Sequence, residues 1–177
     1  MEFLELLVDE HKPIRRAVEV LRVMAKTEAW TDRHDVNALL MFLHYFADAC
    51  HQAKEESLLF PVLISSCAPD ACLEIDVLLK EHREERSFIE KVQLALFTDT
   101  RSEFNRRAKE LVELLSKHIT QEENVLFPLA ERILTREKAS EIAMRMHEAD
   151  AEFGHTQRKL LLDLLEQLEA RYTSKAA

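Results

Sequence analysis

Residues 51–61 read HQAKEESLLFP, and residues 118–128 read HITQEENVLFP. Both carry His, Glu-Glu and Leu-Phe-Pro at the same offsets, so the chain writes one pattern twice. On a helix, residues four apart lie about 40° apart around the axis and about 6 Å apart along it. Each copy therefore sets an imidazole and a carboxylate on one face. A weaker echo precedes each copy: VDEHKPIRR around His11 and LLKEHREER around His82. The chain reads as two helix pairs of one design, each running Glu-His, then His-x-x-x-Glu-Glu, then Leu-Phe-Pro.

Outside the repeat the sequence is helical in character. Apolar residues recur at spacings of three and four, and a chain of 177 residues holds one Gly and four Pro. The spacing predicts helices over 3–29, 34–65, 69–97, 100–134 and 136–171. Asp32 suits an N-cap, Pro69 a first helical turn, and Thr100 with Glu103 a capping box. Pro13, Pro61 and Pro128 fall inside helices and are expected to kink or loosen them. Short linkers make successive helices antiparallel neighbours. The expected architecture is all-α: an up-down antiparallel four-helix bundle over about 3–134 with a fifth helix over about 136–172, in a single domain over 1–177.

The formal net charge of -9, with no basic stretch or Gly-rich phosphate loop, argues against nucleic acid as a partner. No uncharged run approaches the roughly 20 residues of a membrane helix. Acids near the N-terminus do not fit a secretory signal. Cys50, Cys67 and Cys72 form no CxxC pair and are expected to remain thiols, which suits a cytoplasmic protein.

If the repeat is structural, His11, His51 and Glu55 come from one helix pair, and His82, His118 and Glu122 from the other. Buried carboxylates without partners are costly, so these groups either face solvent or surround a cation. Two divalent metals meet the second case, each taking two imidazoles from its own helix pair while both carboxylates bridge. That donor mix suits non-haem iron and also accepts Mn or Zn. Leu59 and Leu126, one turn beyond each Glu, would close the site to all but small ligands. A single His-x-x-x-Glu is ordinarily a surface pair. Two copies, each with a further His at a matching place, favour a metal site. Phe60 and Phe127 read as core.

These motifs, Glu-His at 10–11 and 81–82 with HxxxEE at 51–56 and 118–123, resemble the hemerythrin-like family of HHE cation-binding domains. The resemblance covers about Leu4 to Leu134. It implies a four-helix bundle holding two non-haem irons bridged by carboxylates and oxygen. The implied terminal ligands are His11, His51, His82 and His118, with Glu55 and Glu122 as bridges. Glu123 competes with Glu122, because oxygen-carrying members place that acid five residues after the His. Those carriers also have a further His where this chain has Leu78, and many relatives have a second His where it has Gln52. The missing His counts against stable O2 carriage and favours iron handling, or reactivity or sensing with O2, peroxide or NO. The alternative is an iron-handling role or the repair of iron–sulfur clusters under stress, with simple metal storage behind it. Family members that repair such clusters carry an extra cysteine-bearing domain, which is not evident here.

His44 lies two turns before His51 on the same face and is a candidate spare ligand. Glu148 and His155, with His147 and Glu152 beside them, either reach the open metal or form a polar stripe or homodimer contact. His34 reads as a solvated residue at a helix start, and Tyr45 points away from the His51 face. Whether the protein turns over a substrate is not fixed by these residues.

Overall fold

The computed structural model describes residues 1–66 and 69–173. These form six helices, and no strand occurs among the described residues. Helix α1 is Glu2–Lys26. A 3-10 turn, Glu28–Thr31, leads to α2 (residues 33–65), followed by α3 (Pro69–Phe97), α4 (residues 101–133), α5 (Arg136–Phe153) and α6 (His155–Tyr172). The expectation for Cys67 lies outside the described residues; Cys50 and Cys72 are free thiols.

Helices α1 to α4 close a ring, with α1 on α2, α2 on α3, α3 on α4 and α4 back on α1. Asp32 caps α2 as its sequence suggests, accepting from Asp35 N at 3.1 Å. The capping box expected at α4 does not form. Thr100 holds the N-cap position without a side-chain bond to the helix. Its hydroxyl bonds Thr98 instead, and Glu103 turns outward to Arg106 and Arg107.

The segment expected to form one C-terminal helix is two. Gly154 takes φ +95°, a left-handed conformation that residues with a Cβ rarely adopt, and ends α5 while opening α6. The two helices lie along the α1–α2 side of the bundle, α5 over the start of α1 and the end of α2, α6 over their opposite ends. Thr135 caps α5 by accepting from Lys138 N.

The core has two apolar halves. One gathers Phe3, Leu7, Leu59, Phe60, Leu63, Leu78, Leu126, Phe127 and Met146. The other gathers Ile14, Leu21, Phe42, Phe46, Val92, Phe104, Leu115 and Leu165. Each such side chain contributes about 1.5–3 kcal/mol on burial. Between the halves lies a layer of buried polar groups: His11, His51, Glu55, His82, Glu85, His118 and Glu122.

Candidate metal centre

Pro61 and Pro128 shape the layer from outside it. A proline inside a helix lacks an N–H and its ring collides with the carbonyl four residues back. Both helices respond alike, widening into π-helical turns at Glu55–Leu59 and Glu122–Leu126 just before Phe60-Pro61 and Phe127-Pro128. Each widened turn begins at the Glu of a repeat and sets its carboxylate into the middle of the bundle, where Glu55 and Glu122 are 0% exposed. Leu59 and Leu126 pack beneath them, fully buried.

The imidazoles meet in pairs. His11 Nε2 and His51 Nε2 are 3.1 Å apart, and so are His82 Nε2 and His118 Nε2. Glu122 oxygens lie 3.2 Å from His11 Nε2 and 3.2 Å from His118 Nε2. Glu55 Oε2 lies 3.7 Å from His51 Nε2 and 3.6 Å from His82 Nε2. The donor atoms of His11, His51, Glu55 and Glu122 lie within 4.8 Å of one another, as do those of Glu55, His82, His118 and Glu122. Both carboxylates therefore belong to both groups.

Every ring is held from behind by an acid. His11 Nδ1 donates to Glu123 at 2.8 Å, His51 Nδ1 to Glu10 at 3.0 Å, His82 Nδ1 to Glu56 at 2.7 Å and His118 Nδ1 to Glu81 at 3.1 Å. With Nδ1 donating, a neutral ring offers only a lone pair at Nε2. Two lone pairs at 3.1 Å, facing four carboxylate oxygens without hydrogen-bond partners among the described residues, call for a cation. A donor set of imidazole nitrogens and naked carboxylates fits a divalent metal.

The protonation states differ between the two pairs. Burial pushes the imidazoles of His51 (to about 4) and His82 down, keeping both neutral. Burial also works against charge on His118, but the Glu122 carboxylate overcomes it and holds a proton there well above the ordinary range. Burial, then the charge of Glu122, keeps the Glu55 carboxyl protonated well above its usual value. Protons thus occupy places where a cation would sit.

The profile of the hemerythrin HHE cation binding domain matches residues 2–130 and again residues 94–177. The chain belongs to the hemerythrin HHE family. No curated protein and no solved structure matches it. Membership makes it a cation-binding bundle, and the His–Glu groups are able to hold a metal.

Of the sequence candidates, the HHE core collects six: His11, His51, Glu55, His82, His118 and Glu122. Glu123 stands behind His11 rather than in the centre, 29% exposed and bonded also to Arg15. His44 does not reach the centre; it is exposed beside Asp48. Glu2 pairs with His147 at the surface, and Glu148, Glu152 and His155 lie outside the layer. Leu78 is buried in the apolar half below His82 and offers no ligand. Phe60 and Phe127 are core, in line with their sequence, and also stack on His82 and His11 at 5.9 and 5.7 Å between ring centres.

Of the acids behind the rings, Glu10, Glu56, Glu81 and Glu123, the sequence names only Glu123 as a candidate, and as a bridge rather than as a partner of His11. Their signal is present, since each is part of a duplicated Glu-His or Glu-Glu. The charged cluster behind Glu10 has no such signal. Lys54, only 2% exposed, bonds Glu10 Oε1 at 2.5 Å and Asp150 at 2.6 Å, and Arg158 reaches Glu10 at 2.7 Å. Burial opposes ionisation of Glu10, but His51 and Lys54 hold it well below the carboxylate range. Burial pushes the neighbouring Cys50 thiol up to about 11, so it stays protonated.

Proposed function

We propose that the protein holds two non-haem iron ions and uses them to bind or react with O2, peroxide or NO. One ion would take His11 and His51, the other His82 and His118, with Glu55 and Glu122 shared. The observation that carries this is the pair of facing Nε2 contacts around two carboxylates without hydrogen-bond partners. Two imidazoles and two shared carboxylates leave each ion short of the six donors iron commonly takes, so small molecules have open positions. Iron supplies redox chemistry and Lewis acidity there when bound.

The chain's own residues do the rest. Glu10, Glu56, Glu81 and Glu123 fix the tautomer and direction of each ring and raise its basicity. Leu59, Leu126 and the stacked Phe60 and Phe127 close one end of the layer and limit it to small ligands. Leu78, where oxygen-carrying relatives have a further His, adds no donor at the His82–His118 position, which favours reaction over simple carriage.

Anaerobic loading with Fe(II) tests the reading. Metal analysis should give about two ions per chain, and exposure to O2, peroxide or NO should change the near-ultraviolet and visible spectrum within the time of mixing. Failure to take up metal sinks the proposal. Uptake without any response, combined with iron transfer to an apo iron–sulfur protein, would point to iron handling instead.

A further inference from the structure

The repeat supplies an internal control for every residue around the centre. The register that places His51 on His118 places Gln52 on Ile119, and the register that places His11 on His82 places Ile14 on Glu85. Between α1 and α4 the wall above the centre is thus Ile14 and Ile119, both buried in the apolar core. Between α2 and α3 the same places hold Gln52 and Glu85, each 1% exposed. Gln52 Nε2 donates to Glu85 Oε2. The other oxygen of each, Gln52 Oε1 and Glu85 Oε1, has no hydrogen-bond partner among the described residues. Two buried polar atoms left unpaired in an apolar wall are costly, on the order of 1–3 kcal/mol each, so their retention points to something that passes or binds there.

The surface outside this pair is also distinctive. A groove between α2 and α3, lined among others by Met41, His44 and Ile89, ends at Asp48 and Arg86. Arg86 Nη2 and Asp48 Oδ1 are 2.7 Å apart. Asp48 sits one helical turn before Gln52, and Arg86 directly follows Glu85. On the related face Asp48 becomes Leu115, which is core. Elsewhere α5 and α6 cover α1–α2, and Glu81 with Lys117, and Gln121 with Glu74, tie α3 to α4.

We propose that the α2–α3 face is the access side of the metal centre, with Gln52 and Glu85 as a polar opening that passes small anions or protic molecules of two or three heavy atoms. The inference rests on the di-metal reading above. Glu85 is suited to such an opening, because burial lifts its carboxyl to about 7 against the pull of His118 and Gln52. Near neutrality the group is therefore divided between its charged and uncharged forms, and an incoming anion meets less repulsion than at an ordinary carboxylate. The Asp48–Arg86 pair lies at the groove floor, where Arg86 also bonds Glu56 at 2.8 Å.

The test uses the full chain loaded with iron and oxidised, with azide as the probe, followed by its charge-transfer absorption in stopped flow. The double substitution Gln52→Ile and Glu85→Ile copies the sealed face onto the open one. It should slow azide association by about tenfold or more while metal content is unchanged. Asp48→Ala, which removes the closing ion pair, should speed it. An unchanged rate in the double variant with its metal retained overturns the proposal. Should that variant lose metal, Asp48→Ala decides, and a rate equal to or below the parent's overturns it. A parent chain that takes up no metal would instead refute the proposed function.

Discussion

The two halves of the layer are related by sequence and differ in what surrounds them. In the His82–His118 half, Glu81 is bonded to His118 and to Lys117, whose side chain is 66% exposed. In the His11–His51 half, Glu10 is enclosed by His51, Lys54 and Arg158, the last from α6, with Asp150 of α5 completing the cluster. The His11–His51 half is therefore enclosed by the C-terminal helices, whereas the acid behind His118 borders solvent through Lys117. The central His and Glu residues are alike in the two halves, as two equivalent metal positions would require. Their surroundings differ.

Removing a shared group probes what the halves have in common. Glu55→Ala or Glu122→Ala should empty both positions together, read by metal analysis; loss confined to one position would show that the carboxylates are not shared. Next in size is packing. Leu59→Ala and Leu126→Ala, both fully buried, should each destabilise the fold by about 2–5 kcal/mol in chemical denaturation. Similar losses mark the floor as symmetric, whereas a large difference would break that part of the comparison.

The acids behind the rings come third. Glu10→Gln and Glu81→Gln should each weaken metal affinity by roughly 10–100-fold in competition with a chelator. The Glu10 variant should lose more, because Lys54 and Arg158 lose their shared partner as well. Equal losses would remove the claimed difference between the halves. The smallest effect concerns the far end of that enclosure. Burial disfavours the charge on Asp35, yet Arg171 and Tyr172 of α6 hold its carboxyl below the ordinary value of 3.8. An acid with a lowered folded value stabilises the folded chain above its unfolded value and loses that contribution as pH falls through the folded one. Acidification should therefore loosen α6 in wild type, seen in Tyr172 near-ultraviolet dichroism, and Asp35→Asn should remove that step.

Much of this was legible in the chain. The helical spacing and scarcity of Gly point to the bundle, and a doubled HxxxE marks the residues that the fold collects. Local rules failed where longer contacts prevailed. Thr100 reads as a cap, but its hydroxyl found Thr98; the C-terminal segment reads as one helix, but a single Gly at positive φ divides it. His44 shares a face with His51 by helical arithmetic. The wide turns over Leu43–Gln52 change the phase of that arithmetic, and His44 faces solvent.

By itself the sequence marked the candidate donors, because a repeat of His and Glu at helical spacing fixes which groups share a face. Only the tertiary structure decided which acid stands behind which ring, since Glu10 serves His51 and Glu123 serves His11 across helices far apart in the chain. It also decided that the central acid is Glu122 and not Glu123, through the turn that Pro128 widens. Periodicity specifies a face; which faces meet, and in what register, is set by packing between helices.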